Sequence, residues 1–309
     1  MTSFYSHGKL LLTGEYLVLD GAKSLAIPTA KGQTLEVVDT LDNRIIWISK
    51  TVQDKIWFAS QFLINSLDPV LDTEKNESTK KAQVLSKILK EAKKLNPSFL
   101  NKNKGVTVTT RLEFDLDWGL GSSSTLINNI AQWANVNAFQ LLEESFGGSG
   151  YDIAAAQNAT PIVYQRQQPQ PIVTSIDFDP PFSDLLYFVH LNQKKDSKDA
   201  IKHYRNQPQP ALVKNIEIIN RLTQNLLQVN SILDFEKVIN THEHVLSQIL
   251  KTETIKSLAF PDYEYSIKSL GGWGGDFVLV TIRSPKDLSY FKEKGYSTIL
   301  PYSEMIFKN

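Results

Sequence analysis

The chain contains no cysteine among its 309 residues, only two methionines, and no net charge, with 33 Lys+Arg balanced by 33 Asp+Glu. Lack of cysteine excludes a disulfide framework, a thiol nucleophile and a zinc–thiolate centre, and it suits a reducing cytosol. Lack of a basic excess argues against a dedicated nucleic-acid binder, which needs a basic face or tail. No stretch reaches the ~18 uninterrupted apolar residues of a membrane span. The first 30 residues also lack a charged start followed by a long apolar run. A cytoplasmic protein with neither a membrane nor a nucleic-acid partner is expected.

Three chemical signatures are missing as well. No Lys-Ser/Thr pair follows a glycine loop as in Walker A, no third glycine completes a dinucleotide fingerprint, and there is no Gly-x-Ser-x-Gly elbow. His242 and His244 stand two apart on a helical pattern and do not share a face, so a zinc site there is not expected.

What remains is a chain that is 41% hydrophobic and 21% charged, able to bury a large core. At ~100–200 residues per domain its length suits two domains or one large one. Periodicity predicts an α+β mixture. Strands are expected at 9–13, 15–19, 34–38, 44–49, 105–114, 161–165, 185–191, 277–282 and near 305–307. Helices are expected at 56–64, 81–95, 125–138, 211–229, 234–250 and near 285–294. Two Gln/Pro-biased connectors, 165–171 and 206–210, interrupt the pattern, and the first marks a domain boundary within 165–182. The expected domains are 1–175 and 176–309.

Chemistry concentrates at three glycine clusters. A strand leads into Gly119-Leu120-Gly121-Ser122-Ser123-Ser124 and then a helix. Glycines permit close backbone approach, and the helix start offers unpaired N–H groups at its positive dipole end, which together favour an anion such as phosphate. A serine-capped helix after a glycine turn accounts for the same residues. Gly147-Gly148-Ser149-Gly150 then places Asp152 at a helix start, as a cap or as a base for a substrate hydroxyl. Glu143 and Glu144 lie just upstream, as solvated helix residues or Mg²⁺ ligands. Gly271-Gly272-Trp273-Gly274-Gly275 carries more backbone freedom than a turn needs, which fits close ligand approach. Lys9, between Gly8 and an apolar run, suits a carboxylate or phosphate partner.

These clusters, in this order, resemble the GHMP kinase superfamily. His7-Gly8-Lys9-Leu10-Leu11-Leu12-Thr13-Gly14-Glu15-Tyr16 is similar to its first motif. The 119–124 segment is similar to Gly-Leu-Gly-Ser-Ser-Ala, Ser149-Gly150-Tyr151-Asp152 to Ser-Gly-x-Asp, and Lys268 with the 271–275 cluster and Asp276 to the third motif. The mevalonate-pathway branch is the nearest in pattern: Trp118 before the second motif and Gly-Gly-Asp in the third are similar to phosphomevalonate kinases, and 192–197 to a loop of mevalonate kinases. His7 replaces a usual proline, Ser124 a usual alanine, and Trp273 intrudes in the third motif.

The resemblance implies a two-domain α+β fold, with a ribosomal-protein-S5-domain-2-like N-terminal domain and a ferredoxin-like C-terminal one. It implies ATP and Mg²⁺ as cofactors and a small-molecule substrate bearing a hydroxyl or phosphate, and it admits a homodimer. Backbone N–H groups of Gly119, Leu120, Gly121, Ser122, Ser123 and Ser124 would hold the ATP phosphates. Ser123 and Glu144 (or Glu143) would ligate Mg²⁺. Asp152 would accept or orient the substrate hydroxyl proton, with Lys9 paired to it, and the 271–275 loop would lie on the substrate side. The implied activity is phosphorylation of mevalonate or phosphomevalonate in isoprenoid-precursor synthesis. Alternatives are kinase action on homoserine or a sugar, a diphosphomevalonate decarboxylase-like reaction, and a catalytically silent nucleotide binder. A substrate that already carries phosphate calls for further cations, for which Arg166, Lys194, Lys195, Lys198 and Lys202 are candidates.

Overall fold

In a computed structural model, residues 1–70, 77–101, 104–193, 197–208, 210–273 and 275–307 are described. Packing divides the chain into two units that interleave in sequence. Unit 1 is Met1–Gly8, Lys31–Leu116 and Gly121–Gln157; unit 2 is Lys9–Ala30, Asp117–Leu120 and Asn158–Asn309. Two strands, β1 (Thr2–Leu11) and β2 (Ser24–Asp39), run from one unit into the other.

Unit 1 holds the C-terminal part of β2 with β3 (Arg44–Lys50), β4 (Ile56–Leu63) and β5 (Val106–Leu112) in the order β4-β3-β5-β2. β3 runs parallel to β5, with Trp47 opposite Val108, and β5 runs antiparallel to β2, with Val108 opposite Val37. Strict alternation buries Val106, Val108, Thr110 and Leu112 on one face of β5. Three helices of unit 1 cover that face: α1 (Glu77–Leu95), α2 (Ser122–Ala134) and α3 (Ala138–Ser145). They share one core with Leu35, Trp47, Phe58 and Phe62. Helix α1 contributes a 3.6-period stripe of Ala82, Leu85, Ile88, Leu89 and Ala92. A short α4 (Tyr151–Ala156) packs on α2.

Unit 2 pairs the start of β2 with β6 (Ile162–Gln165), and β6 with β7 (Ile172–Ser175). Its second sheet is antiparallel, in the order β11-β8-β10-β9, built from β8 (Leu186–His190), β9 (Ile267–Ser269), β10 (Phe277–Thr281) and β11 (Ile299–Pro301). Helices α5 (Ser197–Asn206), α6 (Leu212–Leu226), α7 (Ile232–Leu250) and α8 (Ile255–Ala259) precede β9; α9 (Ser289–Glu293) and α10 (Tyr302–Met305) follow β10. Among the described residues no helix is long and apolar enough to cross a membrane.

Three expected elements differ. Residues 56–64 form strand β4 rather than a helix, because a tight turn with Asp54 at φ 67° returns the chain onto β3 and sets Phe62 opposite Ile45. The inward set Phe58, Phe62 and Ile64 follows a period of two, which a nine-residue apolar run does not distinguish from a helix. Residues 15–19 do not form a strand. Gly14 takes φ 87° in a place where a Cβ would collide with the Ser24 side chain, and Tyr16 takes φ 65°, so the chain breaks into a single 3₁₀ turn at Leu17–Asp20. Residues 302–305 are helix α10, and Ile306 makes only an isolated bridge to Thr29.

Candidate active site

In unit 1 the second glycine cluster opens α2. Gly121 is the residue before its first turn, at φ 89°, and no side chain caps the helix. The amides of Ser122, Ser123 and Ser124 occupy the first turn, where N–H groups have no partner within the helix and face its positive end. The three hydroxyls differ. Ser124 Oγ donates to Gly121 O at 2.8 Å and is buried, whereas Ser123 is exposed and Ser122 half-buried. Thr125 Oγ1, one residue further, donates to Gln33 Oε1 at 2.7 Å and anchors the turn to β2. An uncapped helix start with an open hydroxyl suits an anion such as phosphate.

Asp152 sits half-buried in the first turn of α4, after Gly150 at φ 86°, and the following four residues are buried against the core. Gly147 and Gly148 both take positive φ, 69° and 128°, with open space where a Cβ would stand. Glu143 and Glu144 are exposed in the last turn of α3, a helix capped at its start by Asn137. Neither glutamate side chain makes a hydrogen bond or ion pair among the described residues. Among those residues no group of three His, Cys, Asp or Glu side chains can hold a metal by itself. The exposed Ser123 hydroxyl and the exposed Glu143 and Glu144 carboxylates are oxygen donors of the kind Mg²⁺ takes alongside phosphate oxygens.

In unit 2 the ends of three motifs meet. Lys9, 8% exposed on β1, donates its backbone N–H to Leu120 O at 3.0 Å. Gly119, at φ 66°, lies against the Asp276 carboxylate so closely that a Cβ there would overlap it, and a Cβ on Gly271 would stand 2.7 Å from the same oxygen. Trp118 and Phe277 meet edge to face, with ring centroids 5.3 Å apart. The 271–275 loop links β9 to β10, with Leu270 N–H donating to Phe277 O and Gly275 N–H to Gly272 O, both at 3.0 Å. Gly274 lies outside the described residues, as do Lys194 and Lys195. Lys202 is exposed on α5, and Arg166 donates to Leu19 O at 3.2 Å.

Beneath the third motif is a buried ionic cluster. Lys268 Nζ donates to Glu15 Oε1 at 2.6 Å, Glu243 Oε1 at 3.2 Å and Ser269 O at 3.1 Å, which uses all three of its protons. Ser269 Oγ donates to Glu243 Oε2 at 3.0 Å. His242 Nε2 accepts from Gly14 N–H at 3.0 Å, so the ring's proton is on Nδ1. Burial disfavours the charged lysine, but the two carboxylates outweigh it and hold Lys268 above its ordinary value. Burial raises Glu243 against the pull of Lys268, and burial with Lys268 nearby pushes His242 well below the ordinary histidine value. Tyr16 is pushed up to about 12, chiefly by burial.

His242 and Glu243 stand outside the three motifs, whereas Tyr16 lies at the end of the first. A signal existed in α7, where His242 and Glu243 fall on the same buried stripe as Ile239, Leu246 and Leu250. Polar side chains on an apolar face must find partners: Glu243 finds Lys268 and Ser269, and His242 Nε2 finds the Gly14 N–H, while His242 Nδ1 has no partner among the described residues. In the sequence Asp276 stands out only as part of a Gly-Gly-Asp pattern.

No family model matches the chain, and no curated protein matches it in sequence. Solved structures do match along nearly its whole length. The mevalonate kinase of Methanococcus jannaschii is 14% identical with a TM-score of 0.70, over 100% of this chain and 98% of that one. A Streptococcus pneumoniae phosphomevalonate kinase in complex with phosphomevalonate and AMPPNP is 14% identical with a TM-score of 0.68, over 97% and 99%. The Lactococcus lactis galactokinase complexed with galactose is 13% identical with a TM-score of 0.70, over 99% and 93%. The chain therefore has the α+β fold of the GHMP kinases from end to end, as its three motifs led one to expect.

Proposed function

We propose that the chain is an ATP-dependent phosphotransferase of the GHMP type acting on the hydroxyl or phosphate of a small molecule, with mevalonate or phosphomevalonate as the favoured acceptor. The observation that carries this reading is the meeting of three motif ends in unit 2: Lys9 on Leu120, Gly119 and Gly271 on Asp276, and Lys268 on Glu15.

Phosphoryl transfer asks for positioning and charge neutralisation more than covalent chemistry. In this reading the first-turn amides of Ser122, Ser123 and Ser124 bind phosphate oxygens, and the exposed Ser123 hydroxyl is available to Mg²⁺. Glu144 is the carboxylate proposed to accompany it. Bound Mg²⁺ neutralises phosphate charge. Asp152 takes or orients the acceptor hydroxyl proton, and Lys9 stabilises the transferring phosphoryl. The loop of Gly271, Gly272, Trp273, Gly274 and Gly275 borders the substrate.

The acceptor is tested by coupled ATP turnover with mevalonate, phosphomevalonate, homoserine and galactose in parallel, with carbon dioxide release followed for a diphosphorylated acceptor. Turnover preferring one of the first two supports the reading. ATP turnover with none of the four defeats it.

A further inference from the structure

A glycine-rich loop that meets a substrate pays in disorder unless something fixes it, and in this chain the fixing element is an aromatic side chain. Of the described loop residues 271, 272, 273 and 275, only Trp273 has a side chain, and it is held in two directions. Its backbone N–H donates to the Tyr16 hydroxyl at 2.8 Å, and its indole Nε1–H donates to Glu253 O at 3.0 Å. The indole packs on a buried cluster formed by the first-motif turn and α6 and α7, with Leu17, Leu222 and Leu246 among its members.

The acceptor is itself packed in place. Tyr16 is buried, holds φ 65° directly after Glu15, and lies beside the Tyr204 ring at a centroid distance of 5.6 Å. Its neighbour Glu15 grips Lys268 at the root of the same loop. At the other root, Asp276 is buried at φ 54°, its N–H donating to Gln193 O at 3.0 Å. The loop is thus tied at both roots and at Trp273. The positive-φ tyrosine turn of the first motif serves as the post for one of those ties.

We infer that Trp273 is a positioning residue: its indole, bound to Glu253 O and packed on the buried cluster, acts with the backbone bond to Tyr16 to hold residues 271–273 of the third glycine loop in one conformation, so that ordering them costs the bound substrate little. This rests on the phosphotransferase reading for the identity of the substrate, but not for the tie itself. Preorganisation of this kind acts on binding, because the entropy lost on ordering a free loop is charged against affinity. Loss of the tie is therefore expected in KM more than in kcat.

The experiment compares the full chain with Y16F, which removes the acceptor of the Trp273 N–H, and with W273F and W273G. Y16F keeps the ring that fills the core, and W273F keeps an aromatic ring without the indole donor. Amide hydrogen exchange is measured over 270–277, and KM and kcat are measured for ATP and for the acceptor found above. Faster exchange of the loop amides is expected in all three. A KM rise of ~10-fold in W273G, less in W273F, with kcat within ~2-fold, supports the proposal. Unchanged exchange in Y16F and W273G overturns it, and so does faster exchange with wild-type KM. Wild-type chain that turns over no acceptor while the exchange arm succeeds removes the phosphotransferase reading and, with it, the positioning role, leaving only an anchored loop.

Discussion

Lys268 and Glu15 form a fully buried ion pair with 2.6 Å between Nζ and Oε1, joining the strand before the third glycine loop to the turn that ends the first motif. Glu243 is the second carboxylate on the same ammonium, at 3.2 Å. Removing the lysine leaves two carboxylates buried without their cation, a change that typically costs ~3–5 kcal/mol. Lys268→Met, close to the lysine in volume, should lower unfolding free energy by that order in denaturant titration. Adding Glu15→Gln to Lys268→Met should recover part of the loss, because it removes one of the stranded charges. A Lys268→Met variant with wild-type stability would show that the pair carries no structural weight.

His242 gives the cluster a pH signature. Burial, then the nearby Lys268 charge, lowers its folded pKa well below the ordinary value of 6.5. A depressed folded pKa means that the unfolded chain takes up a proton first as pH falls. Stability held above pH ~6.5 is therefore lost below it, by up to ~1.4 kcal/mol per pH unit from this one group. Glu243, raised by burial, has the opposite sign: its contribution is full below its unfolded value of 4.5 and is lost as pH rises through its higher folded value. The two effects overlap, so the informative quantity is a difference. His242→Gln keeps an acceptor for the Gly14 N–H but does not titrate. The stability of wild type relative to His242→Gln should fall as pH drops from 7 toward 5; parallel curves would contradict the assignment.

How much of this was legible in the sequence depends on what each residue answers to. The α1 stripe and the β5 alternation are local patterns repeated over several turns or pairs, and they folded as read. Residues 56–64 failed because the deciding interaction is pairing with β3, which a nine-residue apolar run does not display by its own periodicity. The glycines of 119–121 were visible as glycines, but the reason for Gly119 is a carboxylate 157 positions later in the chain, Asp276. Trp273 looked like an intrusion because its two partners, Tyr16 and Glu253 O, are brought to it only by the fold. Interleaving of the two units is similarly hidden: residues 9–30 precede most of unit 1 in sequence but pack with unit 2.

The Gly119 contact gives a stability test of its own. An alanine there meets both a positive φ of 66° and the Asp276 carboxylate. Backbone strain of this kind costs ~1–3 kcal/mol, and the steric clash adds to it. Gly119→Ala should be destabilised by at least that order, and Gly119→Ala combined with Asp276→Gly should cost less than the sum of the two single changes. Additive losses in denaturant titration would mean that Asp276 does not fill the space at Gly119.

Ser123 and Ser124 should separate binding from folding. Ser124 Oγ is bound to Gly121 O and buried, while Ser123 is exposed at the same helix start. Ser124→Ala should lower stability by ~1 kcal/mol, the net worth of a hydrogen bond, with the KM for MgATP near wild type. Ser123→Ala should leave stability within ~0.5 kcal/mol, as surface changes do, and should raise the Mg²⁺ concentration needed for half-maximal turnover. The reverse pattern in the two variants would reassign the hydroxyls.

Asp152 and Lys9 carry the chemistry in the proposed function, and their settings allow function to be separated from folding to different degrees. Asp152 is half-buried in the first turn of a six-residue helix, so Asp152→Asn retains size and hydrogen-bonding capacity there. Lost dipole attraction at that position is worth ~0.3–1 kcal/mol, small against the stability of a chain this long. Its kcat should nevertheless fall ~10²-fold or more, the scale of a lost general base. Lys9 is buried at 8% exposure, so Lys9→Ala also removes packing, and Lys9→Met is the cleaner variant. It should lose ~10²-fold in kcat as well, the scale of a missing electrostatic stabiliser. If the two groups act in one step, the double variant should lose far less than the product of the single losses. Folded Asp152→Asn or Lys9→Met protein turning over at the wild-type rate would remove that residue from the reaction.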